Sequence, residues 1–199
     1  TPTASAPTTI YTVVASNTAG SSADAFVTLT VNPAAPELTY LDAVFSAGTP
    51  GSLVPTVNLN GGALTNCEIK AETPALPAGL SISATTCEIS GTATVSAAAA
   101  QYTVVATNAG GSSAPASFQL IVNVGIPILS YAGSPHTAGV VGAAMTVAPT
   151  NLQLNGGALT ACGFTGAAPP AWVMIDAGTC VISGTPSSVL APTALTVVA

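Results

Sequence analysis

The chain has 199 residues, and only 4% of them are charged: Lys70 is the sole lysine or arginine, seven residues are acidic, and the net charge is −6. Ordinary soluble domains carry about 25% charged residues, and without clustered cations this chain cannot displace counterions from nucleic acid or gather on an anionic membrane surface. A composition that is 49% hydrophobic also departs from the polar, highly charged make-up of disordered segments.

The chain opens Thr-Pro-Thr-Ala, with no initiator methionine or basic leader, which reads as a processed chain or an excerpt of a longer one. The first strand-like run is Tyr11-Thr-Val-Val-Ala-Ser-Asn17, and turn signals then follow at Asn60-Gly61-Gly62 and Pro77-Ala78-Gly79. Leu80 and Ile82 alternate with Ser81 and Ser83, as in a half-buried strand. Ser90-Gly91 marks another turn. The run Ala97 to Ala100 suits a helix by composition, but Gly91 and Tyr102-Thr-Val-Val bracket it too closely. Tyr102, Val104 and Ala106 share one face of the next strand, and Phe118, Leu120 and Val122 share one face of the strand after Asn108-Ala-Gly-Gly111. β-Branched residues dominate these runs and suit a pleated surface. The most apolar stretch, Phe118 to Leu129, contains Gln119, Asn123, Gly125 and Pro127, so it does not read as a membrane span.

The chain repeats itself. Tyr11-Thr-Val-Val-Ala-Ser-Asn17 recurs 91 residues on as Tyr102-Thr-Val-Val-Ala-Thr-Asn108, and Pro36-Glu-Leu-Thr-Tyr40 recurs as Pro127-Ile-Leu-Ser-Tyr131. Asn60-Gly-Gly-Ala-Leu-Thr-Asn-Cys67 recurs as Asn155-Gly-Gly-Ala-Leu-Thr-Ala-Cys162, and Cys87-Glu-Ile-Ser-Gly-Thr92 as Cys180-Val-Ile-Ser-Gly-Thr185. Offsets that drift only between 91 and 95 are those of one unit with small loop insertions. Thr1 to Ala15 also aligns without gaps to Thr185 to Ala199. The expected organisation is the C-terminal strands of one repeat (1–35), a complete repeat (36–126) and a repeat lacking its last strands (127–199). Two readings of the ends stay open: a window on a longer array, or completion of one copy's last repeat by another copy's first strands.

Strands of five to eight residues in units of about 90 imply an all-β fold of tandem immunoglobulin-like sandwiches. Leu76-Pro-Ala-Gly-Leu-Ser-Ile-Ser83, Cys87-Glu-Ile-Ser-Gly91 and Tyr102-Thr-Val-Val-Ala-Thr-Asn108 with Gly111-Ser112 resemble the immunoglobulin-like, cadherin-like tandem repeats of bacterial surface proteins. Those follow a pattern of the form LPxGLSLxxxTGxISGTP…YTVTATNxxG. Here Cys87 and Cys180 stand where the family often has a turn glycine, and the third unit has Pro169-Pro-Ala-Trp-Val173 in place of Leu-Pro-Ala-Gly-Leu. The resemblance implies an extracellular spacer or adhesion role with no catalytic residues.

Four cysteines allow three pairings. Their recurrence as one pair per unit argues for closure within the unit, Cys67 with Cys87 and Cys162 with Cys180, the alternative being buried free thiols. Cys67 shares strand parity with Ile69, and Cys87 with Ile89, so both sulfurs are expected to face the core. Disulfides place a protein outside the reducing cytosol.

Other chemistry has little support. His136 has no nucleophile or carboxylate at triad spacing and reads as an exposed loop residue. The acids Asp24, Glu37, Asp42, Glu68, Glu72, Glu88 and Asp176 are scattered and form no calcium-loop pattern. Lys70, flanked by Glu68 and Glu72, reads as solvated rather than as an isopeptide donor. Trp172 with Tyr131 could stack on a sugar, but a lone Trp after Pro-Pro reads first as a plug. No metal site, cofactor or catalytic residue is expected. The sequence thus reads as a non-catalytic structural repeat segment of an extracellular or cell-surface protein, forming a rod, sheath or filament, its partners copies of itself or neighbouring repeats. The alternative is an adhesin or a carbohydrate-binding accessory module directed at cell-surface glycans.

Overall fold

The computed structural model describes residues 4–133, 139–189, 191 and 193–199. His136 lies outside the described residues. Every regular element among them is a strand, including Ala97 to Ala100, which extends into the Tyr102 strand.

The first four strands are β1 (Ala6–Val13), β2 (Ser16–Asn17), β3 (Gly20–Ser21) and β4 (Ala25–Val31). β1 pairs antiparallel with β4, placing Tyr11 opposite Val27 and Val13 opposite Ala25, while β2 and β3 pair at the tip. The next ten are β5 (Glu37–Thr39), β6 (Ala43–Ser46), β7 (Pro50–Leu53), β8 (Thr56–Asn58), β9 (Leu64–Ile69), β10 (Leu80–Ile82), β11 (Ile89–Thr92), β12 (Ala97–Asn108), β13 (Gly111–Ser112) and β14 (Ala116–Asn123). Their larger sheet runs β13-β12-β14-β6 with β9 on the other side of β12, the smaller runs β10-β11-β7, and β5 pairs with β8.

The core of this part follows the alternation in the sequence. Tyr102, Val104, Phe118, Leu120 and Val122 are buried at every second position, and Leu38, Leu53, Leu64 and Ile89 are buried as well. Each such side chain taken from water contributes about 1.5–3 kcal/mol. Phe118 lies between two tyrosine rings, with centroids 4.8 Å from Tyr40 and 5.7 Å from Tyr102.

The last seven strands are β15 (Ile128–Ser130), β16 (Met145–Val147), β17 (Asn151–Gln153), β18 (Gly163–Thr165), β19 (Val173–Ile175), β20 (Ile182–Gly184) and β21 (Thr196–Val198). β15 pairs with β17, β16-β20-β19 form a three-stranded sheet, and β18 pairs with β21. The pairing repeats that of the previous part in register. Phe164 faces Val197 across β18 and β21, just as Ile69 faces Val104 across β9 and β12.

By proximity the chain divides into two compact units. One comprises Thr1–Val44, Pro50–Gly91 and Ala99–Ile121, the other Phe45–Thr49, Thr92–Ala98 and Val122–Ala199. Within the second unit, Ala47 N–H donates to the Asn123 carbonyl at 2.9 Å and Gly48 N–H to the Ala93 carbonyl at 2.8 Å. These bonds group the short segments around 47 and 93 with the residues that follow 122.

Candidate functional site

The chemistry-bearing groups that recur are structural in placement. Cys67 lies in β9 and Cys87 in the turn before β11, so their disulfide ties the larger sheet to the smaller one with a Cα–Cα distance of 5.3 Å. Cys162 and Cys180 are joined at the same distance. Cys87 and Cys180 are both fully buried, with φ of 58° and 56°. That left-handed backbone is comfortable for glycine and costly for a residue with a Cβ. It is the physical reason a glycine can occupy the position elsewhere in the family pattern. Here the turn is closed instead by a backbone bond from Cys87 N–H to the Ser83 carbonyl at 2.9 Å, and from Cys180 N–H to the Asp176 carbonyl at 2.8 Å.

A tyrosine braces each of these turns. The Tyr40 hydroxyl donates to the Cys87 carbonyl, and the Tyr131 hydroxyl donates to the Cys180 carbonyl. Burial raises both phenols above their ordinary range. Asp176 is shifted the other way: the Thr179 hydroxyl and the Gly178 N–H donate to its carboxylate and hold it below the usual value.

Asparagines anchor the other end of each repeat. Asn60 and Asn155 adopt φ of 47° and 45°, and their side-chain amides donate to the Ala35 carbonyl at 2.7 Å and the Ile126 carbonyl at 2.6 Å. Each Asn-Gly-Gly turn therefore grips the segment that enters its own repeat. Asn108 is buried, and its amide donates to the carbonyls of Ala34 at 2.9 Å and Leu59 at 3.0 Å, with a longer contact to Gly62 at 3.4 Å. Its Oδ1 accepts the Gly110 N–H at 2.7 Å, fixing the β12–β13 turn. The repeat in the sequence exposed these asparagines, but their role was not legible there, because the carbonyls they hold lie 25 to 74 residues away.

The remaining candidates do not converge. Among the described residues, no three His, Cys, Asp or Glu side chains are grouped to hold a metal ion. Lys70 is half-buried, and its backbone N–H donates to the Thr103 carbonyl. Trp172 is half-buried against Gly184, where an added Cβ would stand 2.0 Å from the Trp172 carbonyl oxygen. Among the described residues, no helix is long and apolar enough to cross a membrane.

A sandwich with this strand pairing, a disulfide between its sheets and a braced turn defines an immunoglobulin-like domain in tandem copies. The profile of the family described as "Putative Ig domain" matches residues 35–123 and again 127–199. The chain belongs to that family. Solved structures to which the chain is similar include a chimeric titin Z1Z2 carrying a decorin peptide, at 15% identity over 80% of this chain and 85% of that one, with a TM-score of 0.35. Human CDH23 EC21-23 is 18% identical over 90% of this chain and 65% of that one, with a TM-score of 0.37. BT4661, a SusE-like surface-located polysaccharide-binding protein from Bacteroides thetaiotaomicron, is 14% identical over 88% of this chain and 37% of that one, with a TM-score of 0.41. No curated protein matches the chain.

Proposed function

We propose that the chain is a non-catalytic structural segment of an extracellular or cell-surface protein, built of immunoglobulin-like repeats bounded at 1–35, 36–126 and 127–199. The observation that carries this reading is the combination of a disulfide in each of the repeats 36–126 and 127–199 with a chain almost devoid of charge. Neutral surfaces do not repel one another, so copies can pack closely, whereas charge is the usual protection against edge-to-edge pairing. Cross-linked sheets resist the proteolysis and shear met outside the cell. Its partners on this reading are neighbouring repeats and copies of itself, assembled as a rod, sheath or filament.

The test is surface labelling of intact cells, combined with mass measurement of the native protein after alkylation without reductant. Labelling from outside together with four unalkylated cysteines is the expected result. Confinement to the cell interior with alkylated thiols would overturn the reading.

A further inference from the structure

A serine and an Asn-Gly-Gly turn meet twice in the chain in the same way. Ser96 lies between β11 and β12, and its Oγ donates to the Gly156 carbonyl at 2.8 Å. Ser5, its counterpart 91 residues earlier, precedes β1, and its Oγ donates to the Gly61 carbonyl at 2.6 Å. Each of these glycines is the first of an Asn-Gly-Gly turn. The linkers repeat the match: the Ala34 N–H donates to the Asn60 carbonyl at 3.2 Å, and the Gly125 N–H to the Asn155 carbonyl at 2.9 Å. In both cases the serine and the linker belong to one repeat and the turn to the next.

The fit leaves no room for side chains on the turn. A Cβ on Gly156 would lie 2.2 Å from the Ser96 nitrogen, and one on Gly157 would lie 2.7 Å from the Val124 Cγ1. At the earlier turn, a Cβ on Gly61 would lie 3.2 Å from the Ser5 nitrogen, and one on Gly62 2.8 Å from the Pro33 Cβ. Gly48 adds a further point of contact, since a Cβ there would stand 2.4 Å from the Asn155 Cγ. This packing accounts for the grouping of Phe45–Thr49 and Thr92–Ala98 with Val122–Ala199 in one compact unit.

We infer that the Asn-Gly-Gly turn of each repeat is the docking site for the repeat before it, which reaches it with a serine hydroxyl and a linker amide. Two adjacent glycines bare the carbonyls of the turn, and serine, with its hydroxyl on the first side-chain carbon, donates to one of them from a backbone in close contact. The partner that fits is therefore a repeat of this family with serine at the position of Ser96, and the glycines at 156 and 157 are what admit it. Repeats joined in this way stabilise one another through nearest-neighbour contacts, so the stability of a repeat depends on its predecessor. The inference rests on the repeat boundaries of the structural reading above and gives that reading its joint.

The test is hydrogen exchange of the full chain read amide by amide, with urea denaturation of glycine variants. Ser96→Ala removes one hydroxyl and leaves the backbone in place. It is expected to speed exchange of the Gly125 and Gly157 amides about fivefold, the effect of one hydrogen bond of ordinary strength, and to leave those of Ala34 and Gly62 at the wild-type rate. Ser5→Ala is expected to do the converse. Gly156→Ala is compared with Gly166→Ala, because the two glycines have φ of 82° and 85° but Gly166 has no described neighbour within 4 Å of an added Cβ. Gly156→Ala is expected to lower the urea midpoint further, since it alone pushes the preceding repeat off the turn. Unchanged exchange at Gly125 and Gly157 in Ser96→Ala, or equal midpoints for the two alanine variants, would overturn the inference. Labelling of intact cells reads location and these rates read the joint, so either reading can fail alone.

Discussion

The hydroxyl of Tyr40 donates to the carbonyl of Cys87, a residue 47 positions away whose sulfur is bonded to Cys67. One phenol thus holds the backbone of the turn while the disulfide holds its side chain. Because Tyr131 and Cys180 repeat the arrangement, the brace is a property of the repeat and not of one copy.

Replacing Tyr40 by Phe keeps the ring against Phe118 but removes the donor to the carbonyl of the buried Cys87. The expected loss is about 1–2 kcal/mol, read as a lower urea midpoint. The pH dependence has a definite sign. Burial raises the Tyr40 pKa above the ordinary value near 10, so above that pH the unfolded state holds fewer protons than the folded one and stability falls. The stabilisation is complete below pH 10 or so and is lost progressively above it. Denaturation midpoints taken from neutral to strongly alkaline pH are expected to drop less for Tyr40→Phe than for wild type.

Opening the Cys67–Cys87 loop, 20 residues long, is expected to cost about 3 kcal/mol on the chain-entropy account. The backbone at Cys87 adds a second, separable effect. With Cys67 changed to Ala, Cys87→Gly is expected to be more stable than Cys87→Ala by about 1 kcal/mol, because φ of 58° strains any residue with a Cβ. Chemical denaturation of the two double variants measures the difference. An equal or reversed order would show that packing of the Cβ outweighs backbone strain.

Asn108→Ala removes a buried amide from the Ala34, Leu59 and Gly62 carbonyls and leaves them without that donor. The expected cost is about 2–3 kcal/mol, with faster hydrogen exchange around Leu59 to Gly62. Asn60→Gly separates geometry from bonding: glycine accepts the φ of 47°, so only the bond to the Ala35 carbonyl is lost. It is expected to cost less than Asn60→Ala, which loses the bond and strains the backbone as well.

Gly91 approaches another part of the chain too closely to carry a side chain. A Cβ there would lie 2.1 Å from the Gly79 carbonyl oxygen, and the backbone has φ of 137°. Gly91→Ala is therefore expected to separate β10 from β11, where Gly91 pairs with Leu80. Loss of the cooperative thermal transition, or a midpoint lowered by well over 10 °C, is the expected observation, since about 1 kcal/mol shifts such a domain by several degrees.

Much of this protein could be read from its sequence, because two properties of a sandwich are written locally. Alternation at Tyr102, Val104 and Ala106, and at Phe118, Leu120 and Val122, follows from the period of two in a strand, and the same residues line the core. Self-similarity at offsets of 91 to 95 disclosed the tandem units, because copies of one fold keep their core and turn residues at the same spacing. What only the tertiary structure decided depends on groups brought together over long separations. These are the bond from Tyr40 to the turn at Cys87 and the Asn108 amide between three carbonyls. A strand's pattern says which face is apolar; whether anything covers that face depends on neighbours that the pattern does not contain.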